Sequence, residues 1–447
     1  MKTKLASLAA ALVLAGCINL APDHQRGALP VADQWPAETA QAGQALQWQQ
    51  FYASDARLVA LIDIALKNNR DLRAAVFNAE QARAQARIAD ANRWPTLSAA
   101  GIYTRVSGDV STTPRYQAGV QVSSYELDLL GKIRNQSDAA TARYLASREG
   151  QRAAQISLIA AVASSHLALQ ADSAMLELVS NTLAAREESE KLMRRKFDVG
   201  VASALDMSTA ESATGAARAA YAQAKRQRAQ DENALVLLLG QPLPTELPAA
   251  TATGTLPDVP VGLPSAVLLA RPDVLQAEQT LIAAEANIGA ARAAFFPSIS
   301  LTGQLGSASN ALSDLFKNTV WSFVGQIAMP IFDAGRNRAN LDSAKAAQGA
   351  ALAQYEKAVQ SAFREVADAL AGRATYGEQL AAQELQTRAA RDTLRLVKLR
   401  FDNGAASQLD LLTAQTNAFA AEQALLQVQL AAQANSVQLY KALGGGV

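Results

Sequence analysis

The 447-residue sequence predicts a mainly α-helical protein with a small β part, built as an internal duplication. Three observations carry this. "KFDVGVASALD" at 196–206 returns as "RFDNGAASQLD" at 400–410, 204 positions later. Residues 132–199 and 336–403 contain no proline, and as helices such runs reach roughly 100 Å. Each copy also holds two short stretches in which apolar and polar residues alternate, the period of a strand. Half the residues are hydrophobic but only 5% are aromatic, a balance that suits closely packed helices.

The chain opens "MKTKLASLAAALVLAGC": Lys2 and Lys4, an apolar run, then Leu14-Ala15-Gly16-Cys17. Residues 1–16 read as a signal peptide. The ending resembles the bacterial lipobox, which implies cleavage before Cys17 and acylation of its thiol. A plain signal peptide with a chance cysteine is the alternative. Ile18 follows rather than Asp, which in lipoproteins favours transfer to the outer membrane. Net charge is +1, so no nucleic-acid partner is implied. Two His and one Cys leave little for a metal or catalytic site. His166 falls in a long helix and reads as a packed or solvated side chain. His24 falls in an N-terminal segment read as flexible. No catalytic residues, no metal and no cofactor are expected, beyond a covalent lipid on Cys17. No later stretch has 18 apolar residues in a row, so no transmembrane helix is expected.

After the N-terminal segment 17–54 come a first repeat at 55–240, a Pro-rich link at 241–265, a second repeat at 266–443 and a tail at 444–447. "RWPTLS" at 93–98 answers "FFPSIS" at 295–300, and "LDLLGKIRN" at 127–135 answers "FDAGRNR" at 332–338. Each repeat begins with a helix, about 55–92 and 266–294, stopped near Pro95 or Pro297 because the residue before proline avoids the helical region.

A β-hairpin follows, at 95–128 and 297–332. Ile299, Leu301 and Leu305 alternate with Ser300, Thr302 and Gln304; Trp321, Phe323 and Ile327 do so less cleanly. Ten-residue stretches of this kind are the weak signature of an outer-membrane strand. In the first repeat the alternation is fainter, and on the strands alone a soluble hairpin fits equally.

Next come the long helices, 132–199 and 336–403, and shorter return helices, 205–239 and 409–443. A helix this long must lean on others along its length. In the last one, Leu411, Ala418, Leu425, Ala432 and Leu439 lie seven apart, as do Leu412, Phe419, Leu426 and Tyr440 with Gln433 as the polar break. Two adjacent heptad stripes imply neighbours on both sides.

The duplicated motif is the turn between long and return helix. Arg194, Arg195 and Lys196, and again Arg395, Lys398 and Arg400, oppose the negative end of the helix dipole. Gly200 and Gly404 suit the left-handed residue that ends a helix. Ser203 with Asp206, and Ser407 with Asp410, fit a capping box. Four membrane strands per chain cannot close a barrel, which needs about eight, and open edges in a bilayer are forbidden. Two chains give eight strands and three give twelve.

Together with the lipobox and the duplication, "YELDLLGK" at 125–132, "ANIGAARAAFFPSISLTG" at 286–303, "RFDNGAASQLDLLTAQ" at 400–415 and the terminal "LYKALGGG" resemble the outer-membrane factor family. Within it the chain is similar to the OprM-like lipoprotein channels of RND-type multidrug pumps, related to TolC. The resemblance implies a homotrimer with a 12-strand barrel in outer-membrane lipid and a long periplasmic α-barrel. It implies an equatorial belt from 17–54, the link and the tail. The implied function is that of a passive exit duct in a tripartite efflux pump, beside a periplasmic adaptor (membrane fusion) protein and an inner-membrane RND-type transporter. The tips Gly200, Val201, Ala202, Ser203 and Leu205, and Gly404, Ala405, Ala406, Ser407 and Leu409, are then the adaptor-docking residues. Asp410 falls on a gate position of the inner hairpin; Asp206 reads as a cap alone. Phe401 and Phe197 stand where relatives often have Tyr, Ala406 where TolC has Arg, and Thr413 where a second Asp is common, so the gate cannot be locked by the same bonds. A lipid-anchored coiled-coil scaffold without conduction is the other class of function, and a type I secretion or heavy-metal exit duct the nearer alternative. The five methionines are sparse for a copper or silver relay.

Overall fold

The structure, a computed structural model, describes residues 19–35, 46–105, 114–248, 256–257 and 264–445. The expected signal peptide, Cys17, much of the 241–265 link and the last two residues lie outside it. The chain forms two compact units. One gathers Met1–Leu29, Val76–Gly150 and Asp273–Ala358; the other gathers Pro30–Ala75, Gln151–Pro272 and Val359–Val447.

In chain order the helices and strands are α1 (Trp48–Phe51), α2 (Ala56–Asn68), α3 (Arg70–Ala91), β1 (Leu97–Thr104), β2 (Arg115–Leu127), α4 (Lys132–Asp198), α5 (Ala204–Leu239), α6 (Pro264–Ala270), α7 (Pro272–Ala293), β3 (Ser298–Ser309), β4 (Thr319–Ala328), α8 (Arg336–Asp402) and α9 (Gln408–Ala442). The long helices α4 and α8 are 67 residues each.

The opening helix of each repeat is broken, contrary to the single helices expected at 55–92 and 266–294. Asn69 separates α2 from α3. Its side-chain oxygen accepts from Leu72 N at 2.9 Å, and its amide donates to Leu238 O at 2.9 Å. Arg271 separates α6 from α7 and donates to Ala442 O at 2.8 Å. Each break thus satisfies a free carbonyl at the end of its own repeat's return helix. Pro272, whose missing N–H is harmless at a first helical position, starts α7.

In the first unit one antiparallel sheet runs β1-β2-β3-β4, so the two repeats contribute a hairpin each and meet at β2 and β3. Gly119 faces Gly306 there; a Cβ on either would fall within 3 Å of the facing backbone. Gly131 and Gly335, both at positive φ, turn the chain from strand into long helix. Asp128 accepts from Arg134 N at 2.6 Å and Asp333 from Asn337 N at 2.9 Å, capping those starts. Residues 20–26 of the N-terminal segment are fastened, not flexible as expected. His24 Nδ1 lies 2.9 Å from Glu285 Oε2, Arg26 Nη2 donates to Glu278 Oε2 at 2.8 Å, and Arg292 donates to Leu20 O at 2.7 Å.

In the second unit the core gathers Phe51, Tyr52, Leu61, Ile62, Ile159, Val162, Leu235, Leu239 and Tyr440. Phe51 stacks on Tyr440 with centroids 4.2 Å apart. His166, a packed side chain at 2% exposure, bonds Asp55 at 2.9 Å. α4 does contain one window apolar enough to cross a membrane, but its buried Ile159, Val162 and Ala163 belong to this core.

Candidate functional site

Register sorts the side chains of the sheet, because residues directly opposite in an antiparallel pair share a face. On one face Leu97 meets Val122, Val120 meets Leu305, Leu305 meets Trp321, Gly303 meets Phe323 and Ile299 meets Ile327. On the other, Gln121 meets Ser98 and Gln304, Gln304 meets Ser322, and Ser300 meets Gln326. The first side is therefore predominantly apolar, and the second carries the amides and hydroxyls, with Ile102, Val320 and Val324 among them. The apolar side is bare: Trp321 is 77% and Ile327 71% exposed.

The faint alternation of the first repeat now has a cause. Val122 pairs with Gly303 but Tyr125 with Leu301, so β2 holds one extra residue. Ser124 sits at φ 52° in this bulge and donates its N–H to Thr302 Oγ1 at 3.1 Å. A bulge shifts the face by one residue, which keeps Tyr125 and Leu127 beside Val120 and Val122 although their spacing breaks the period of two.

Aromatic side chains mark both ends of this face, as at the two surfaces of a bilayer. Tyr103 and Tyr116 lie 4.9 Å apart at one end. At the other end Tyr125 donates to Arg93 O at 3.1 Å, and the exposed Phe295 and Phe296 stand just before β3. β1 and β4 are the sheet's edges, and β4 is exposed along all its ten residues. Four strands, an even number, let β4 of one copy meet β1 of the next without breaking the antiparallel order.

In the second unit the hairpin tips repeat one another. Val201 N donates to Lys196 O at 2.8 Å and Gly200 N to Phe197 O at 2.9 Å; Ala405 N donates to Arg400 O at 2.8 Å and Gly404 N to Phe401 O at 3.0 Å. This is the paired bonding of a left-handed helix stop, with Gly200 at φ 77° and Gly404 at φ 74°. Ser203 and Ser407 each accept from the N–H three residues on and are met in return by Asp206 and Asp410. Bonds from Ser203 hold the Asp206 carboxyl below its usual range, and bonds from Ser407, backbone first, do the same for Asp410. The turns hold Val201, Ala202 and Ser203 in one copy, and Ala405, Ala406 and Ser407 in the other. Leu205 and Leu409, the second residues of the return helices, are 76% and 67% exposed.

Several contacts were not foreseen from sequence because they join distant segments. Lys196 Nζ sits 5.0 Å from the centroid of the Phe401 ring. Arg186, buried, donates to Thr416 Oγ1, and Gln408 to Ser189 Oγ, both at 3.1 Å. Asp172 on α4 faces Asp231 on α5; burial first, then that carboxylate, push Asp172 up to about 7. The second stripe of α9 stays half-open: Leu412 and Phe419 line a groove of about 550 Å³ with α4 and α5.

An amphipathic sheet open at both edges, in a chain of duplicated helical hairpins, defines one protomer of an outer-membrane duct. Comparison with known proteins agrees. The model of the family described as outer membrane efflux protein matches residues 61–241 and 263–445. The solvent efflux pump outer membrane protein SrpC of Pseudomonas putida is 46% identical over 100% of this chain and 99% of its own. The cation efflux system protein CusC of Escherichia coli O6:H1 is 40% identical over 99% of this chain and 98% of its own. The open-state structure of the Neisseria gonorrhoeae MtrE outer membrane channel superposes with a TM-score of 0.88 at 41% identity, covering 96% of this chain and 98% of that one. The chain belongs to the outer membrane efflux protein family, and is an outer-membrane channel component.

Proposed function

We propose that this chain is the passive exit duct of a tripartite pump, assembled as a homotrimer with twelve strands in the outer membrane. The observation that carries the reading is the sheet: one bare apolar face, one amide-lined face and two unpaired edges. A bilayer tolerates such edges only when the sheet closes. Lipid covers the apolar face and the Gln-lined face surrounds the pore. Cys17, acylated, adds an anchor.

The tips at Gly200–Leu205 and Gly404–Leu409 receive a periplasmic adaptor, whose inner-membrane transporter supplies the energy. Their small residues admit a close backbone approach, and their exposed Val201, Leu205 and Leu409 supply apolar contact. Asp410 carboxylates converge near the periplasmic end and favour cations. The cargo is small toxic organic compounds, a class that includes the solvents named for SrpC; five methionines are too few for a soft-metal relay.

The test is extraction from outer membranes. A heat-resistant trimer on unboiled gels supports the duct. A monomer recovered with the soluble periplasmic fraction after Cys17→Ser overturns it in favour of a lipid-held scaffold.

A further inference from the structure

The helices of the second unit are tied in a sequence. α5 holds α4 through Arg218 to Glu187 at 3.0 Å and Arg194 to Glu211 at 2.8 Å. α4 holds α9 through Arg186 to Thr416 and Gln408 to Ser189. α9 holds α8 through Thr387 to Ala421 O at 3.1 Å. The described bonds therefore run α5–α4–α9–α8, with α5 and α8 on the flanks.

The seam inside the chain joins the long helix of the first repeat, α4, to the hairpin of the second. At the tip it is fastened by Lys196 over the Phe401 ring. Exchanging the repeats turns this seam into another one: the long helix α8 against the α4–α5 hairpin. α8 and α5 are the flanks, so this second seam falls between copies of the chain.

The residues for it are present. Lys196 corresponds to Arg400 and Phe401 to Phe197, each 204 positions apart. Phe401 is half-buried under its cation, whereas Phe197 is 43% exposed. Arg400 donates through Nη2 to Ala405 O at 3.3 Å, at the edge of its guanidinium, and that plane stacks on aromatic rings. Resting on the oligomeric reading above, we infer that Arg400 of one copy covers Phe197 of the next, so that the tips form a closed ring of alternating Lys–Phe and Arg–Phe contacts.

The other two fastenings of the inner seam are not duplicated. Arg186 and Thr416 correspond to Ala390 and Ser212; Ser189 and Gln408 correspond to Thr393 and Ala204. Of the three, the seam between copies keeps only the cation–ring contact. It is the seam that parts first when the tips spread.

The test pairs Phe197→Cys with Arg400→Cys in the full-length protein, oxidised in native outer membranes. A reducible ladder up to the trimer is expected on denaturing gels, absent from either single variant and so independent of Cys17. A bridge only within the chain, or an adduct to a different protein, overturns the inference. So does the absence of any bridge; light scattering in detergent then separates the causes. An intact oligomer without bridges refutes this seam alone, whereas a monomer refutes the oligomeric reading with it. As a readout free of cysteines, Arg400→Ala should raise single-channel conductance at least as much as Lys196→Ala, and Arg400→Lys should restore it. Parent-like conductance in Arg400→Ala overturns the ring.

Discussion

Asp206 and Asp410 occupy matching positions, and in one chain they do the same work. Each closes a capping box, and each is held ionised by bonds from its serine. A depressed carboxylate adds stability that is complete above its unfolded value of about 4 and is lost as pH falls through the folded one. The hairpins should therefore loosen on acidification below about pH 4, and Ser203→Ala or Ser407→Ala should cost about 1 kcal/mol at neutral pH, read from thermal melts. Only assembly distinguishes the pair. Asp410→Ala should reduce cation preference in planar bilayers while Asp206→Ala leaves it unchanged; equal effects from both would make Asp410 a cap and nothing more. Asp172 has the opposite sign. Its carboxyl, raised to about 7 by burial and Asp231, holds in the folded state a proton that the unfolded chain releases, so stability declines as pH rises from about 4 towards neutrality. Asp172→Asn should melt higher than the parent at pH 8 and lose that slope; a melt no higher than the parent's refutes the account.

At the scale of elements, what could be read in the sequence was what is encoded locally. The tips were legible because Gly200, Ser203 and Asp206, and their copies, each act within a few residues. The long helices were legible because nothing interrupts them. The breaks at Asn69 and Arg271 were not, since each depends on a carbonyl far away in sequence, at Leu238 or Ala442; Pro272 was the one local signal. The first hairpin was masked by its bulge, which keeps the faces aligned by breaking the period. The fastening of His24 to Glu285 is a hydrogen bond across 261 positions and left no local trace. The two faces of the sheet make a direct prediction. Phe323→Lys, on the apolar face, should destabilise the assembled barrel by about 2–4 kcal/mol per copy if it lies near mid-bilayer. Gln304→Lys, on the polar face, should assemble normally and shift selectivity towards anions. A reversal would exchange lipid and pore. At the tips, Gly404→Trp combines bulk with a positive φ and should abolish drug resistance at normal membrane levels of oligomer; full resistance with normal adaptor crosslinking would remove the tips from the interface.

For the whole molecule, the sheet's open edges and the flanking helices α5 and α8 demand the same thing, another copy. In both places an element of the first repeat stands on one flank and an element of the second on the other, so copies join head to tail and close as a ring. The lipid proposed on Cys17 would be a second attachment. A single acyl chain holds a membrane marginally, so Cys17→Ser, given an ordinary cleavage site, should still insert through its strands. The closed ring should conduct. The most direct measurement is the conductance of purified oligomer in planar bilayers, parent beside Lys196→Ala with its tips loosened. Discrete steps in the parent, enlarged in the variant, are the predicted result. A stable inserted oligomer that carries no current in either form would contradict it.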